Sequence, residues 1–178
     1  IDPDRARSVA ERAGTRAFSV AELLAKSEVG IVVNLTVPKA HFEVASAVIE
    51  AGKSVYNEKP LANTRADGKA LLDHAKAQGV LVGCAPDTFL GRGIQTARRV
   101  ITSGQLGQVV GASAFMMCHG HESWHPSPEF YYEVGGGPLF DMGPYYLTAL
   151  VELLGPVRRV QGSARTSFAQ RIITSEPK

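Results

Sequence analysis

The sequence contains little of what marks a secreted or metal-stabilised protein. Only two of its 178 residues are cysteine, Cys84 and Cys118, and no Cys-x-x-Cys spacing occurs. Two thiols in a chain of this size do not make a disulfide framework, and their spacing does not match a zinc site. We therefore expect both cysteines to be reduced and mostly buried.

Long apolar runs and blocks of like charge are also missing. No apolar run approaches the length of about 18 residues that spans a bilayer, and the first residues are polar and helix-forming, unlike a signal sequence. Lysine and arginine are scattered along a chain of net charge +2, so there is no basic patch for nucleic acid. These features predict a cytoplasmic protein without a nucleic-acid or membrane partner, and they are compatible with a small phosphate-bearing ligand.

Up to residue 84, helical and strand patterns alternate with short connections. Asp2, Ser19 and Thr64 each have the N-cap pattern of a helix start. Strands are predicted at residues 29–35, 53–56 and 80–84. The first of these runs is almost wholly apolar, which predicts a central strand covered on both faces. The alternation is typical of an α/β fold with a doubly wound parallel sheet.

The pattern changes after residue 84, and we place a domain boundary near residues 85–88. Further on, the sequence predicts helices at residues 92–103 and about 145–154, and strands at residues 108–117 and about 159–167. A loop rich in histidine, tryptophan, proline and tyrosine lies between them. This second part is expected to be an α+β domain with an open sheet.

A short run of strand-forming residues ends at Glu58, Lys59 and Pro60. Proline disfavours the helical region for the residue before it, so Lys59 should be extended at the carboxyl edge of the sheet. Open α/β sheets bind ligands at that edge. The alternative is a solvated Glu-Lys charge pair beside a turn.

Three motifs, in this order and at these separations, resemble the Gfo/Idh/MocA family of nicotinamide-dependent oxidoreductases. They are residues 35–41, Leu-Thr-Val-Pro-Lys-Ala-His; residues 51–60, Ala-Gly-Lys-Ser-Val-Tyr-Asn-Glu-Lys-Pro; and residues 135–145, Gly-Gly-Gly-Pro-Leu-Phe-Asp-Met-Gly-Pro-Tyr. The resemblance implies a partial dinucleotide-binding Rossmann domain at residues 1–87. It also implies a partial α/β domain for substrate binding and oligomerisation at residues 88–178.

The implied activity is hydride transfer between NAD or NADP and a hydroxyl group of a sugar, an inositol-like compound or a related cyclic compound. The implied partners are a small-molecule substrate and, in the full-length protein, further copies of the chain that meet through the sheet of the second domain. Two alternatives stay open. The chain could be a non-catalytic regulator that binds a nucleotide or a sugar, or a structural fragment that is inactive as it stands.

The sequence departs from the family pattern in two places. Family members begin with a strand and a Gly-rich turn that places the pyrophosphate at a helix N-terminus, and neither is present. We therefore expect an internal fragment that lacks this N-terminal βαβ segment and the C-terminal end. The second departure is Tyr145, where the more frequent pattern Asp-x-Gly-x-His has histidine. This variant shifts the implied substrate toward sugars and related cyclic hydroxyl compounds.

The resemblance also implies roles for individual residues. The implied catalytic residues are Lys59, Asp141 and Tyr145, with Lys59 exchanging a proton with an alcohol. The implied cofactor-binding residues are Thr36, Pro38, His41, Glu58 and Lys59. Three of them have an ordinary alternative: Thr36 could cap a helix, Glu58 could pair with Lys59, and Asp141 could be a helix N-terminal carboxylate.

The loop of the second domain offers candidate substrate contacts in His121, Trp124 and Tyr132. The aromatic rings would present flat faces to a sugar, or else they belong to a core or an interface. The residues Cys118, His119, His121 and His125 raise the possibility of zinc, but their spacing matches no standard site. We therefore predict no metal.

Overall fold

The computed structural model describes residues 2–176 and divides into two compact units between Gly83 and Cys84. The helices are α1 (Pro3–Ala13), α2 (Val20–Leu24), α3 (His41–Glu50), α4 (Arg65–Gln78), α5 (Arg92–Thr102), α6 (Gly137–Asp141) and α7 (Gly143–Leu154). The strands are β1 (Ile31–Asn34), β2 (Ser54–Asn57) and β3 (Val82–Cys84). Short 3-10 helices are Pro38–Ala40, Asp87–Leu90, His121–Ser123 and Pro128–Tyr132.

The first unit contains the parallel α/β arrangement that the sequence predicts. The strands lie in the order β1-β2-β3, and β1 runs parallel to β2. In this register Ile31 lies opposite Ser54, and Asn34 lies opposite Asn57. Two strands of equal length and aligned register end together, so the turns that follow them emerge side by side at the carboxyl edge of the sheet.

Side-chain caps begin three helices of this unit at the predicted positions. The Asp2 carboxylate accepts the amides of Asp4 and Arg5 at 3.0 and 3.1 Å. Ser19 and Glu22 form the predicted capping box at α2, and the Thr64 hydroxyl accepts the Asp67 amide at the start of α4. Each cap satisfies amides that the first helical turn leaves unpaired.

The hydrophobic core of the first unit lies between β2, α3 and α4. Its buried members are Ala45, Val48, Ile49, Val55, Leu71 and Ala75. The apolar residues of α3 recur at helical spacing and pack against α4 and β2. This packing fixes the N-terminus of α3, and therefore His41, behind the ends of β1 and β2.

The prediction that the first strand is central is wrong for the described residues, where β1 lies at the edge of the three-stranded sheet. Ile31 and Val33 are 59% and 57% exposed, so the strand is not covered on both faces. An apolar run shows that a strand could be buried on both faces. Whether it is buried depends on other elements of the chain that pack against those faces.

The second unit lacks the two strands predicted at residues 108–117 and 159–167, since neither segment has strand structure. Val110, Phe115 and Val160 are 96%, 73% and 81% exposed. A strand needs a neighbour that accepts and donates its backbone hydrogen bonds, and the described part of the chain supplies none for these segments. Residues 84–176 therefore do not form the expected open sheet.

The regular secondary structure of the second unit after β3 is helical. Helix α5 packs against α7, and Arg98 Nη1 donates to Glu152 Oε1 at 2.6 Å. Helix α7 begins at Gly143, two residues before the predicted start. Across residues 2–176 none of the helices is both long enough and apolar enough to cross a membrane.

The two cysteines differ in their environment. Cys84 is half-buried at the end of β3, whereas Cys118 is exposed. The prediction of mostly buried thiols is therefore wrong for Cys118. Its neighbour Met117 is 86% exposed as well, because the segment that should have been a strand does not pack as one.

We predict that Lys53 stabilises the first unit through its ammonium group. Its side chain is 6% exposed, and Nζ donates to the carbonyl oxygens of Lys26 and Val29 at 2.6 and 2.8 Å. Lys53→Met keeps the apolar stem and removes both bonds, so the free energy of unfolding should fall by about 1.5 to 3 kcal/mol. Urea unfolding followed by circular dichroism measures this. The matched control, Lys76→Met on the exposed side of α4, should change it little, and equal effects of the two variants would contradict the assignment.

Candidate functional site

Two buried asparagines form the carboxyl edge of the sheet in the first unit. Asn34 and Asn57 are the last residues of β1 and β2, and they are 2% and 0% exposed. Asn34 Nδ2 donates to Asn57 Oδ1 at 3.0 Å, and Asn57 Nδ2 donates to the Leu61 carbonyl at 3.2 Å. Buried amides need such partners, so the pair ties the two strand ends together.

Thr36 belongs to the turn after β1. Its amide and its hydroxyl both donate to Asn34 Oδ1, at 3.2 and 2.7 Å. The 3-10 helix that follows begins with Pro38. Neither this helix nor α3 has a side-chain cap. Thr36 therefore closes the turn against the strand, and the alternative in which it caps the helix is not observed.

His41 connects this turn with the turn after β2. The ring is fully buried, with Nε2 2.9 Å from the Thr36 carbonyl oxygen and Nδ1 2.6 Å from the Pro60 carbonyl oxygen. Both nitrogens thus face backbone acceptors. Because the ring is buried in this way, His41 can influence a ligand at the sheet edge only by positioning the two turns that it contacts.

Glu58 and Lys59 lie directly after β2 and are half-buried, so they are not the fully solvated charge pair of the alternative interpretation. The Glu58 amide donates to the Asn34 carbonyl at 2.8 Å, and the Lys59–Pro60 peptide bond is cis. The structure therefore places Thr36, Pro38, Glu58 and Lys59 on the two neighbouring turns at the carboxyl edge.

The groups at this edge fit a dinucleotide. Glu58 supplies a carboxylate and Thr36 a hydroxyl, which are suitable partners for ribose hydroxyls. Val37, between Thr36 and Pro38, is 56% exposed and offers an apolar surface for a flat ring. The polar groups beneath them are hydrogen-bonded to one another, so the edge is held without a ligand.

In the second unit, Asp141 and Tyr145 lie on different helices. Asp141 is the last residue of α6 and Tyr145 is the third residue of α7, with Met142 between the helices. Met142, whose backbone angles are in the right-handed helical region, separates the two helices, and its carbonyl accepts the Tyr145 amide at 3.1 Å. Both side chains are half-buried.

The structure brings His121 next to Asp141. His121 Nε2 lies 3.5 Å from Asp141 Oδ2, and the imidazole stacks on the Tyr131 ring at 3.7 Å between centroids. His121 is 8% exposed, and among the described residues its buried Nδ1 and the buried Tyr131 hydroxyl have no hydrogen-bond partner. Burial raises the pKa of Tyr131 to about 12, and the nearby Asp141 carboxylate contributes.

The Gly-rich turn determines how these elements meet. A Cβ atom at Gly136 would collide with the backbone carbonyls of Phe130 and Tyr131. Only glycine permits that approach, so the motif seats the 3-10 helix Pro128–Tyr132 close to the start of α6.

Tyr132 and Trp124 have different surroundings. The Tyr132 hydroxyl donates to the Glu122 carboxylate, although the residue is 52% exposed. Trp124 is 62% exposed and its ring lies 4.7 Å from that of His121. A cavity of about 400 Å³ adjoins this region, and its lining includes Met116, Cys118, His119, Tyr131, Tyr132 and Arg171.

The buried residue Glu122 accepts several hydrogen bonds in the second unit. It is 3% exposed and accepts hydrogen bonds from Tyr132 and from Arg171, whose Nε lies at 2.8 Å. The Tyr132 hydroxyl, followed by Arg171, lowers the pKa of Glu122 to about 2, and the same hydrogen bond raises the pKa of Tyr132. The Glu122 carbonyl also accepts the amides of Thr174 and Ser175 at 2.8 and 2.9 Å.

Sequence reasoning missed Glu122 and Arg171, which are 49 positions apart. Neither belongs to one of the three motifs, so no local signal pointed to the pair. Among residues 2–176, no three His, Cys, Asp or Glu side chains converge in a way that could hold a metal ion.

The parallel sheet and its crossover helices make the first unit a partial Rossmann-type α/β domain. Residues 1–85 match the model of an oxidoreductase family with an NAD-binding Rossmann fold, and residues 94–176 match the Gfo/Idh/MocA C-terminal domain. The chain therefore belongs to the Gfo/Idh/MocA oxidoreductase family, as the three motifs predict.

Individual relatives agree with this assignment. An uncharacterized oxidoreductase of Schizosaccharomyces pombe is 30% identical over 75% of this chain and 36% of its own length. The dTDP-3,4-didehydro-2,6-dideoxy-alpha-D-glucose 3-reductase of Streptomyces violaceoruber is 31% identical over 90% of this chain and 46% of its own length. The chain thus spans less than half of either relative.

A solved structure shows the same fold. The WlbA dehydrogenase of Bordetella pertussis, determined with NADH and UDP-GlcNAcA, has a TM-score of 0.74 at 23% identity, over 98% of this chain and 51% of that chain. At this identity the likeness concerns the fold.

We predict that the hydrogen bonds around Glu122 weaken in acid. Well above pH 4.5 the carboxylate is ionised in both the folded and the unfolded chain, so its stabilising effect is complete. As the pH falls from 4.5 toward about 2, the unfolded state binds a proton that the folded state does not, and this stabilisation is lost. Hydrogen exchange at the Thr174 and Ser175 amides, measured against pH, should therefore accelerate across this range relative to the intrinsic rate.

Two variants test the source of this pH dependence. Glu122→Gln should remove it and leave exchange at both amides fast throughout. Glu129→Gln, an exposed glutamate in the same segment, should leave the wild-type profile unchanged. A wild-type profile without acceleration between pH 4.5 and about 2 would contradict the lowered pKa.

Proposed function

We propose that the full-length protein transfers a hydride between a nicotinamide cofactor and a hydroxyl group of a sugar, an inositol-like compound or a related cyclic hydroxyl compound. The observation that carries the proposal is the position of Lys59. Lys59 is half-buried on the turn after β2, at the carboxyl edge of the sheet. The domain that contains this sheet matches an NAD-binding Rossmann family. A proton-exchanging side chain at that edge is what an alcohol dehydrogenase requires.

A curated relative supports the substrate class. The Streptomyces violaceoruber relative is named as a reductase of a deoxysugar nucleotide. The exposed rings of Trp124 and Tyr132 supply apolar faces of the kind on which sugar rings stack. We therefore favour a sugar or sugar-like ring over an open-chain alcohol.

On the cofactor side, we assign Thr36, Pro38 and Glu58 to contacts with the cofactor, and His41 to the support beneath them. The nicotinamide, when bound, accepts or supplies the hydride. Glu58 and Thr36 would hold ribose hydroxyls through their oxygen atoms.

For proton transfer we assign Lys59, Tyr145 and Asp141. Lys59 has three donors and can exchange one proton with a substrate oxygen, and Tyr145 offers a hydroxyl that can donate and accept. Asp141, with His121 3.5 Å from its carboxylate, would orient the substrate hydroxyl by accepting its hydrogen bond. We also propose a cytoplasmic homo-oligomer for the full-length protein.

The phenol of Tyr145 gives the sharpest test. In the full-length protein, Tyr145→Phe should lower kcat by about 10² to 10⁴, the usual effect of losing one general acid or base, and should leave cofactor affinity nearly unchanged. Lys59→Ala should cost at least as much. Because both changes disable one proton transfer, the double variant should fall far less than the product of the single effects. Absorbance at 340 nm, with sugars and inositols as substrates, measures kcat.

The adjacent Tyr146 provides a matched control, since it lies on the same helix and is equally half-buried. Tyr146→Phe should keep wild-type kcat. Near-full activity in Tyr145→Phe, where hydride transfer limits the rate, would make the phenol a packing residue. No change at 340 nm with any substrate, together with normal cofactor binding, would favour the non-catalytic regulator instead.

A further inference from the structure

We propose that His41 is a positioning residue whose ring holds the turn after β1 and the turn after β2 at a fixed separation. It thereby sets the positions of Thr36 on one turn and Lys59 on the other. The inference rests on the proposed function only insofar as Lys59 takes part in proton transfer. The bridge itself is a property of the structure.

The geometry of the ring carries the proposal. His41 is 0% exposed at the start of α3, and its two nitrogens lie 2.9 Å from the Thr36 carbonyl oxygen and 2.6 Å from the Pro60 carbonyl oxygen. The Pro60 carbonyl is one residue beyond Lys59. Because an imidazole is a rigid plane, it fixes the distance between the two carbonyls as well as the position of each.

The asparagines of the same edge do different work. Asn34 Oδ1 fastens Thr36 to its own strand, and Asn57 Nδ2 fastens Leu61 to its own strand. The Asn34–Asn57 bond joins strand to strand. The His41 ring, by contrast, spans from turn to turn, so its loss should free the turns relative to each other while the strands stay paired.

Variants at position 41 are informative when they differ in the number of hydrogen-bond donors that they offer to the two carbonyls. A carbonyl oxygen only accepts, so a neutral imidazole donates to one of the two carbonyls and an imidazolium donates to both. Phenylalanine keeps a flat ring of similar size and has no donor. Glutamine has two amide hydrogens and can retain part of the bridge.

The experiment compares His41→Phe and His41→Gln in the full-length protein by hydrogen-exchange mass spectrometry and by calorimetry with NAD and NADP. In His41→Phe, exchange in the segments 35–38 and 58–63 should rise at least tenfold. The cofactor Kd should rise by about tenfold, and kcat should fall by about 10 to 100, since small displacements of catalytic groups have effects of this order. His41→Gln should recover part of each loss.

A core variant on the same helix separates positioning from simple stability. Val48 is 1% exposed and packs in the core, away from both turns. Val48→Ala should lower the unfolding temperature as much as His41→Phe, yet leave Kd and kcat of the folded protein unchanged. Should His41→Phe fail to fold, His41→Asn, which is polar but too short to span both carbonyls, is measured in its place.

Two results would overturn the inference. One is wild-type exchange, Kd and kcat in His41→Phe or its replacement. The other is a loss in His41→Gln that equals or exceeds the loss in His41→Phe, which would mean that hydrogen-bond donors at this position do not hold the turns. Exchange and cofactor Kd need no substrate, so a failure of hydride transfer in the wild type would reject the proposed function and still leave this inference testable.

Discussion

The ends of β1 and β2 bury two primary amides, and the first unit depends on the fact that these amides must be hydrogen-bonded. An unpartnered buried polar group costs about 1 to 3 kcal/mol, so Asn34 and Asn57 are tolerated only in the register that places them opposite each other. That register brings the turns after both strands to one edge. The residues proposed to contact the cofactor, from Thr36 to Lys59, lie on those two turns.

The second unit is organised by a different constraint, a buried charge. Glu122 is stable inside the protein because Tyr132 and Arg171 surround its carboxylate with donors. The arrangement fastens the chain near residue 174 to the 3-10 helix that carries His121 and Glu122. In the described residues this ion pair, and no sheet, holds the loop that bears the candidate substrate contacts.

The accuracy of the sequence predictions follows the range of the interactions involved. Helix starts at Asp2, Ser19 and Thr64 were predictable because a cap is a contact over two or three residues. The strands of residues 108–117 and 159–167 were predicted wrongly, since an alternating or apolar pattern shows that a segment could pair but cannot supply its neighbour. The prediction that β1 is a central strand failed for the same reason.

By itself, the sequence determined the parallel α/β character of the first unit, the family, and the motifs that carry Lys59, Asp141 and Tyr145, since periodicity, caps and short motifs are local properties. Only the tertiary structure decided that the His41 ring faces two carbonyls, that His121 meets Asp141 and that Arg171 reaches Glu122. The physical reason is that hydrogen bonds and ion pairs depend on distances and directions between side chains. Those are set by how remote segments pack, which residue order alone does not specify.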